Sequence, residues 1–216
     1  MSQILPLQQL SDALEGDLFY DELHKIIYST DASVYQIKPI AVARPKSVAD
    51  IQTLVRFANE HHIPLTPRTA GTSLAGQTVG SGIIVDVSKY FTQIVSFDKE
   101  NKTVTVQPGV IRDELNLFLK PHGLFFGPNT STSNRCMIGG MVGNNSSGTT
   151  SIRYGVTRDK IVELKAILSD GSATIFKSLT SAEFVEKTKG DSLENQIYRT
   201  LYEELSNSEK IGRAHV

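Results

Sequence analysis

The run Pro67-Arg68-Thr69-Ala70-Gly71-Thr72-Ser73-Leu74-Ala75-Gly76-Gln77 contains no acid, histidine or cysteine, so the chemistry open to it is that of its backbone. Successive N–H groups in a glycine-bearing turn can converge on an anion, and the spacing suits a pyrophosphate cradle. Gly71 and Gly76 supply the positive φ and close approach that inward-pointing amides require. Two other phosphate loops are excluded by the residues. A Walker loop needs Lys and then Ser or Thr after the second glycine, where this chain has Gln77 and Thr78, and no G-x-G-x-x-G joins a strand to a helix. Taken alone, the run reads equally well as a Gly/Thr/Ser surface turn.

A second stretch, Phe126 to Gly155, is rich in Gly, Asn, Ser and Thr and almost free of acids. Small side chains and accessible backbone suit a wall lying along an extended ligand, with amides and hydroxyls meeting sugar and phosphate oxygens. The competing reading is a long lid or disordered loop.

The elements that must hold these stretches follow from periodicity. Residues before about Ser29 read as helix, with Leu10, Leu14, Leu18, Leu23, Ile26 and Ile27 at helical spacing for packing and Asp17 as an N-cap. Ala41 to Arg44 reads as a strand stopped by Pro45. Ser47 to Asp50 opens a helix running to about His62, with Val48, Ile51, Leu54, Val55 and Ala58 forming a stripe toward a sheet. Ile63 to Thr66 and Ile83 to Val87 flank the glycine run as strands, placing it at a sheet edge. Gln93 to Phe97 and Thr103 to Val106 form a hairpin, Arg112 to Leu119 a helix ended by Pro121-His122-Gly123, and Ile161 to Leu168 with Ala173 to Phe176 a second hairpin about Asp170-Gly171. Ser181 to about Lys210 is charged and helical. No repeat of fixed period is visible.

At 216 residues the chain can bury a sizeable core. The formal net charge is −1 with scattered Lys and Arg, which gives no footprint for nucleic acid or an anionic membrane, so a bound phosphate must be held locally. A single cysteine, Cys136, excludes an internal disulfide, a cysteine-ligated zinc and an iron–sulfur cluster made by this chain alone, and fits a reducing compartment. The five histidines form no cluster, so no metal is expected. Met1-Ser2-Gln3-Ile4-Leu5-Pro6 lacks the features of a signal peptide, and no segment approaches the ~20 apolar residues of a transmembrane helix. A soluble, cytoplasmic location is expected, with peripheral attachment at the inner face of the membrane open to a full-length protein. The terminal Ile211-Gly212-Arg213-Ala214-His215-Val216 fits the preceding helix badly, and a common sequencing adapter encodes it in one frame. The chain is therefore read as an N-terminal fragment ending near Lys210 with a non-native tail at 211–216.

Several motifs occur together in order: Tyr28-Ser29-Thr30-Asp31-Ala32-Ser33, Pro67 to Gly76, Val85-Asp86-Val87-Ser88, Val106-Gln107-Pro108-Gly109-Val110, Gly127-Pro128, Ile138-Gly139-Gly140, Asn145-Ser146-Ser147-Gly148 and Tyr154-Gly155. On these, about Ser29 to Lys177 resembles the FAD-binding domain of the vanillyl-alcohol oxidase / p-cresol methylhydroxylase (PCMH) superfamily. Within it, the chain is most similar to the FAD-linked D-lactate dehydrogenases and the FAD subunit of glycolate oxidase. The resemblance implies an α+β, two-subdomain PCMH-type FAD-binding fold, with a small α/β unit followed by a larger, mainly antiparallel sheet with flanking helices. The domains expected are a helical segment at 1–28, subdomains at 29–92 and 93–210, and a substrate-binding cap domain beyond the fragment.

The resemblance further implies that the amides of Ala70, Gly71, Thr72 and Ser73, with Arg68, Thr69, Gly76 and Gln77 nearby, hold the FAD pyrophosphate. Arg68 would touch phosphate or brace the loop. Pro128, Asn129, Ser131, Thr132, Ser133, Ile138, Gly139, Gly140, Gly143, Asn144, Asn145, Ser147, Gly148 and Tyr154 would line the flavin and ribityl chain, and Ile161 or Val162 the adenine end. For Ile138, Ile161 and Val162 ordinary core packing is an equally open reading. Thr72 stands where some relatives attach flavin to a histidine, so FAD is expected to bind noncovalently. Cys136 reads as a small buried hydrophobe, and Asp86 as the fastener of its turn rather than a ribose ligand.

The implied reaction is hydride transfer from the Cα–H of a D-2-hydroxy acid to flavin N5 while a base takes the hydroxyl proton. The base and the carboxylate ligands would lie in the cap domain, so no catalytic residue is assigned within these residues. Electrons would pass on to a quinone, cytochrome or iron–sulfur module, and the fragment alone would not turn over. The alternatives are the FAD domain of a UDP-N-acetylenolpyruvoylglucosamine-type reductase and a non-redox nucleotide-binding module.

Overall fold

The computed structural model describes residues 5–206. The expected tail at 211–216 and the end of the helical stretch near Lys210 lie outside the described residues. The described chain divides between Ile161 and Val162 into two compact units.

The first unit opens with α1 (Leu7–Asp12), β1 (Asp17–Phe19) and α2 (Glu22–Ile27). Helix was expected throughout this segment, and β1 is a correction: it pairs antiparallel with β2 (Ala41–Arg44), Leu18 lying opposite Ala43. Leu18 joins the core from this strand, whereas Leu23, Ile26 and Ile27 are exposed rather than packed. Asp17 caps no helix; the N-cap of α2 is Asp21, whose carboxylate accepts from the His24 N–H at 3.1 Å. Next comes α3 (Val48–His61), begun by Ser47, whose hydroxyl accepts from Asp50 N–H at 3.1 Å. The Asp50 carboxylate takes the N–H groups of Glu15, Gly16 and Lys46 at 2.9, 3.0 and 2.8 Å, pinning the N-terminal segment to the helix. Leu54 and Ala58 of α3 are buried, but Val48 is 52% exposed and lies off the expected stripe.

Strands β3 (Leu65–Arg68) and β4 (Ile83–Asp86) complete a four-stranded sheet in the order β1-β2-β4-β3, with β2, β4 and β3 mutually parallel. Its centre is apolar on both faces. Ala41, Ala43, Ile83 and Val85 pack with Leu10, Leu54 and Ile63 on one side, while Val42 and Ile84 pack with Tyr28 on the other. Continuous apolar runs such as Ala41–Ala43 and Ile83–Val85 are what two-sided burial selects, and each fully buried Ile or Val contributes about 1.5–3 kcal/mol. The boundary expected at residue 92 falls inside the first unit, where this sheet gives way to the β5 (Ile94–Asp98) and β6 (Thr103–Val106) hairpin.

That hairpin shares a second core with α4 (Arg112–Leu119) and α5 (Ile138–Asn144), built on Val110, Leu115, Leu119, Cys136, Ile138 and Met141. Helix α5 and the short α6 (Ser151–Tyr154) lie in the stretch read from sequence as a ligand wall or a lid loop, where no helix was expected. The second unit is the antiparallel pair β7 (Glu163–Ile167) and β8 (Ala173–Lys177) followed by α7 (Ser181–Lys187) and α8 (Leu193–Ser206). The fold is α+β as expected, the strands after the four-stranded sheet forming two separate two-stranded antiparallel ladders among the described residues.

Candidate functional site

Because β2, β4 and β3 run parallel, their C-terminal residues Arg44, Asp86 and Arg68 emerge at one edge, the position where open α/β sheets bind ligands. A cleft of about 280 Å³ opens there, lined by Ile27, Tyr28, Arg44, Arg68, Thr69, Ala70, Asp86 and Ser88. The glycine run leaves β3 beside it. Gly71 and Gly76 have φ of +66° and +69°, and a Cβ at either would come within 2.6 Å of the Arg68 guanidinium or the Tyr35 ring. Thr69 to Ser73 are half-buried, and among the described residues their N–H groups have no hydrogen-bond acceptor. Unpaired, partly shielded amides in sequence are a nest for an anion. The far half of the run is closed internally: Ser73 Oγ accepts from the Ala75 and Gln77 N–H groups at 3.2 and 3.3 Å and donates to Gln77 Oε1 at 2.7 Å.

The segment 30–33 holds the run from outside. Ala32 N–H donates to the Gly71 carbonyl at 3.1 Å, and Thr78 Oγ1 donates to Asp31 Oδ2 at 3.2 Å. Burial pushes the Asp31 carboxyl up, but bonds from Ser33 and Thr78 outweigh it and hold the group below the ordinary Asp value. Arg68 faces inward: Nη1 donates to the carbonyls of Thr30 at 2.8 Å and Thr78 at 3.3 Å. The two roles foreseen for it were phosphate contact and bracing, and these bonds are the bracing one.

Tyr28, Arg44 and Asp86 form the floor of the cleft. The Tyr28 hydroxyl donates to Asp86 Oδ2 at 2.5 Å and accepts from Arg44 Nη2 at 2.9 Å, and Arg44 Nε lies 3.6 Å from the same carboxylate oxygen. Burial and the Asp86 bond, opposed by Arg44, raise the Tyr28 hydroxyl above its ordinary pKa. Asp86 Oδ1 accepts from Ser88 N–H at 2.8 Å, so this carboxylate fastens its turn.

The second stretch meets the first through α5. Gly140 packs on Thr69, where a Cβ would lie 2.6 Å from Oγ1, and Gln77 Nε2 donates to Asn144 Oδ1 at 3.3 Å. Gly139 packs against Pro108. Several residues expected to line the flavin spend their backbone inside the chain. The N–H groups of Ile138, Gly139 and Asn145 donate to the carbonyls of Val110, Pro108 and Val142, and that of Gly148 to Ser151 Oγ. Ser133 Oγ donates to Asp113 Oδ2 at 3.0 Å, the Thr132 carbonyl accepts from Cys136 N–H, and the buried Pro128 carbonyl accepts from Arg112 Nε at 3.1 Å. Asn145 Oδ1 accepts from Arg158 N–H, and Asn129 lies against Gly148. Ser131, Gly140, Gly143 and Ser147 are exposed, as is Asn144, whose side chain also donates to Ser146 Oγ at 3.1 Å. Tyr154 stacks edge-on against Phe125 and covers Gly127. Ile138 is buried in the second core, Ile161 ends the first unit, and the exposed Val162 belongs to the second. Cys136 is buried against Met141 and Thr130.

Sequence reasoning did not place Asp31, Arg44 or Tyr35 at the site. Asp31 and Tyr28 stand in the Tyr28–Ser33 motif, which was the available signal; Arg44 and Tyr35 carried none.

A nest of open amides at a parallel-sheet edge, faced by a glycine-bearing helix, defines a module for an extended phosphate-bearing cofactor. A model described as an FAD binding domain matches residues 39–177, and the chain belongs to that family, whose cofactor is FAD. The chain is 38% identical over 206 residues to D-2-hydroxyglutarate dehydrogenase of Haemophilus influenzae, covering 94% of this chain and 20% of that protein. It is 38% identical over 149 residues to glycolate oxidase subunit GlcD of Bacillus subtilis, covering 68% and 32%. The fold matches a p-cresol methylhydroxylase crystal structure with a TM-score of 0.66 at 18% identity over 78% of this chain and 34% of that one. The chain thus spans about a fifth of the length of the D-2-hydroxyglutarate dehydrogenase. The residues present fit the cofactor: the Thr69–Ser73 amides are half-buried and unpaired among the described residues, and Gly71 and Gly140 let Arg68 and Thr69 pack closely around them.

Proposed function

We propose that the chain is the FAD-binding portion of a flavin-dependent dehydrogenase of D-2-hydroxy acids. The observation that carries this is the set of unpaired amides at Thr69 to Ser73, held open between Arg68, Gly71 and the Gly140 face of α5. Those amides would take the pyrophosphate, and the exposed small residues of α5 would lie along the flavin. Thr72 offers no nucleophilic ring nitrogen, so FAD is held noncovalently. When bound, FAD supplies a two-electron acceptor at flavin N5 for the hydride from Cα of the hydroxy acid, the hydroxyl proton passing to a base and the product being the 2-oxo acid. This chain's residues bind and orient the cofactor. The base, the ligands for the substrate carboxylate and the contacts to an electron acceptor belong to the portion of the protein beyond these residues. The similarity to D-2-hydroxyglutarate dehydrogenases across most of the chain makes D-2-hydroxyglutarate the first substrate to try, ahead of D-lactate and glycolate.

The purified chain is expected to show flavin absorption at 350–500 nm and to release stoichiometric FAD, not FMN, in acid. A folded protein that is colourless and takes up no added FAD would overturn the cofactor assignment for this chain. For the substrate, dye-linked oxidation of the three acids by the full-length protein is decisive, and activity on none of them would refute the hydroxy-acid reading.

A further inference from the structure

Arg68 stands at the mouth of the amide nest, yet its guanidinium points beneath it. One nitrogen, Nη1, bridges the Thr30 and Thr78 carbonyls at 2.8 and 3.3 Å, joining the outer 30–33 segment to the residue that follows the glycine run. The guanidinium carbon lies 5.1 Å from the centre of the Tyr28 ring, and that ring is locked by its hydroxyl bonds to Asp86 and Arg44. Nη2 fills the space beneath Gly71 so closely that a Cβ there would sit 2.6 Å away. The loop is therefore moulded over the guanidinium, with Gly71 as the point of closest approach. Arg68 itself is half-buried, and the carbonyls it holds belong to the two backbone segments that the nest needs at a fixed separation.

We infer that Arg68 is a positioning residue for the pyrophosphate: from the start of the glycine run it ties the Thr78 carbonyl at the run's far end to the Thr30 carbonyl of the outer segment, and so presets the Thr69–Ser73 amides. Nη1 makes both carbonyl bonds while the rest of the planar guanidinium lies by the Tyr28 ring and fills the space beneath Gly71; a lysine ammonium carries the same charge but lacks the extent to do all three. Preset donors bind more tightly because less order has to be imposed when the anion arrives.

The inference rests on the FAD-binding reading, and the test separates the two. Apoprotein of the wild-type chain, Arg68→Lys and Arg68→Gln is titrated with FAD by flavin fluorescence, and the melting temperature of each apoprotein is measured alongside. Both variants are expected to raise the FAD Kd by about tenfold or more, the worth of two lost carbonyl bonds, with the lysine no better than the glutamine. Tyr28→Leu, which removes the supporting ring and leaves Arg68 in place, is expected to weaken FAD in the same direction. Wild-type affinity in Arg68→Lys with loss in Arg68→Gln alone would overturn the inference, because charge and not shape would then be what matters. So would variants whose apoproteins melt lower while the FAD Kd stays unchanged, which is a purely structural role. Failure of the wild-type chain itself to bind FAD would instead refute the cofactor reading on which the inference stands.

Discussion

Gly71 and Gly123 offer a matched pair that isolates what the cradle demands. Both lie in the left-handed region, at φ +66° and +70°, but a Cβ at Gly123 meets nothing within 4 Å, whereas one at Gly71 meets Arg68 Nη2 at 2.6 Å and Cζ at 3.0 Å. An L-residue in this region costs about 1–2 kcal/mol, and Gly123→Ala should cost that alone. Gly71→Ala must in addition push the guanidinium away, forfeiting its bonds to the Thr30 and Thr78 carbonyls at about 1 kcal/mol each. The total is about 3–4 kcal/mol, and the excess over Gly123→Ala is about 2 kcal/mol, or about 30-fold. Urea unfolding of the apoproteins measures the part borne by the fold, and FAD titration measures the part borne by the open loop. The two together should show the excess for Gly71→Ala. Equal behaviour of the two alanine variants in both assays would refute the claim that the run closes over Arg68.

Gly148→Ala should destabilise by about 1–3 kcal/mol in thermal melts, because its Cβ would overlap the Asn129 carbonyl. Gly143→Ala, in the last turn of α5 with nothing within 4 Å, should stabilise the apoprotein by less than about 0.8–1 kcal/mol, the gain in a helix interior, and yet weaken FAD in titrations if the flavin lies on that exposed face. Tyr28→Phe removes a hydrogen bond to a carboxylate that is 4% exposed and should cost about 1.5–3 kcal/mol in urea unfolding. Asp31 is held below its ordinary pKa, so the native state binds fewer protons than the unfolded one. Its contribution should be complete at neutral pH and fade below about pH 4, and unfolding measured against pH should lose that slope in Asp31→Asn.

The glycine run was legible because it lies between two extended segments, Ile63 to Thr66 and Ile83 to Val87, and the structure sets β3 and β4 side by side around it. The helix after Ser47 was legible from its cap for the same local reason. Strand β1 was hidden because Leu14, Leu18 and Leu23 keep helical spacing, while the pairing of Leu18 with Ala43 is a contact that no local period encodes. Helix α5 was hidden by composition: Ile138-Gly139-Gly140-Met141 has poor helix propensity, and the helix is held by Met141 in the core and by Pro108 and Thr69 against its glycines. Which residues of the second stretch face a ligand also required coordinates. The sequence shows that Ile138, Gly139 and Gly148 are small or apolar, but not that their N–H groups are already spent on Val110, Pro108 and Ser151.

The strand that carries the cradle, β3, is the outermost of its sheet and is paired along one side only, with β4. The inner pair β2–β4 is enclosed by the two apolar layers. An edge strand can part from its neighbour at a fraction of the free energy of full unfolding. Local opening of β3 and its loop is therefore the least costly way to disturb the amide nest short of unfolding the unit.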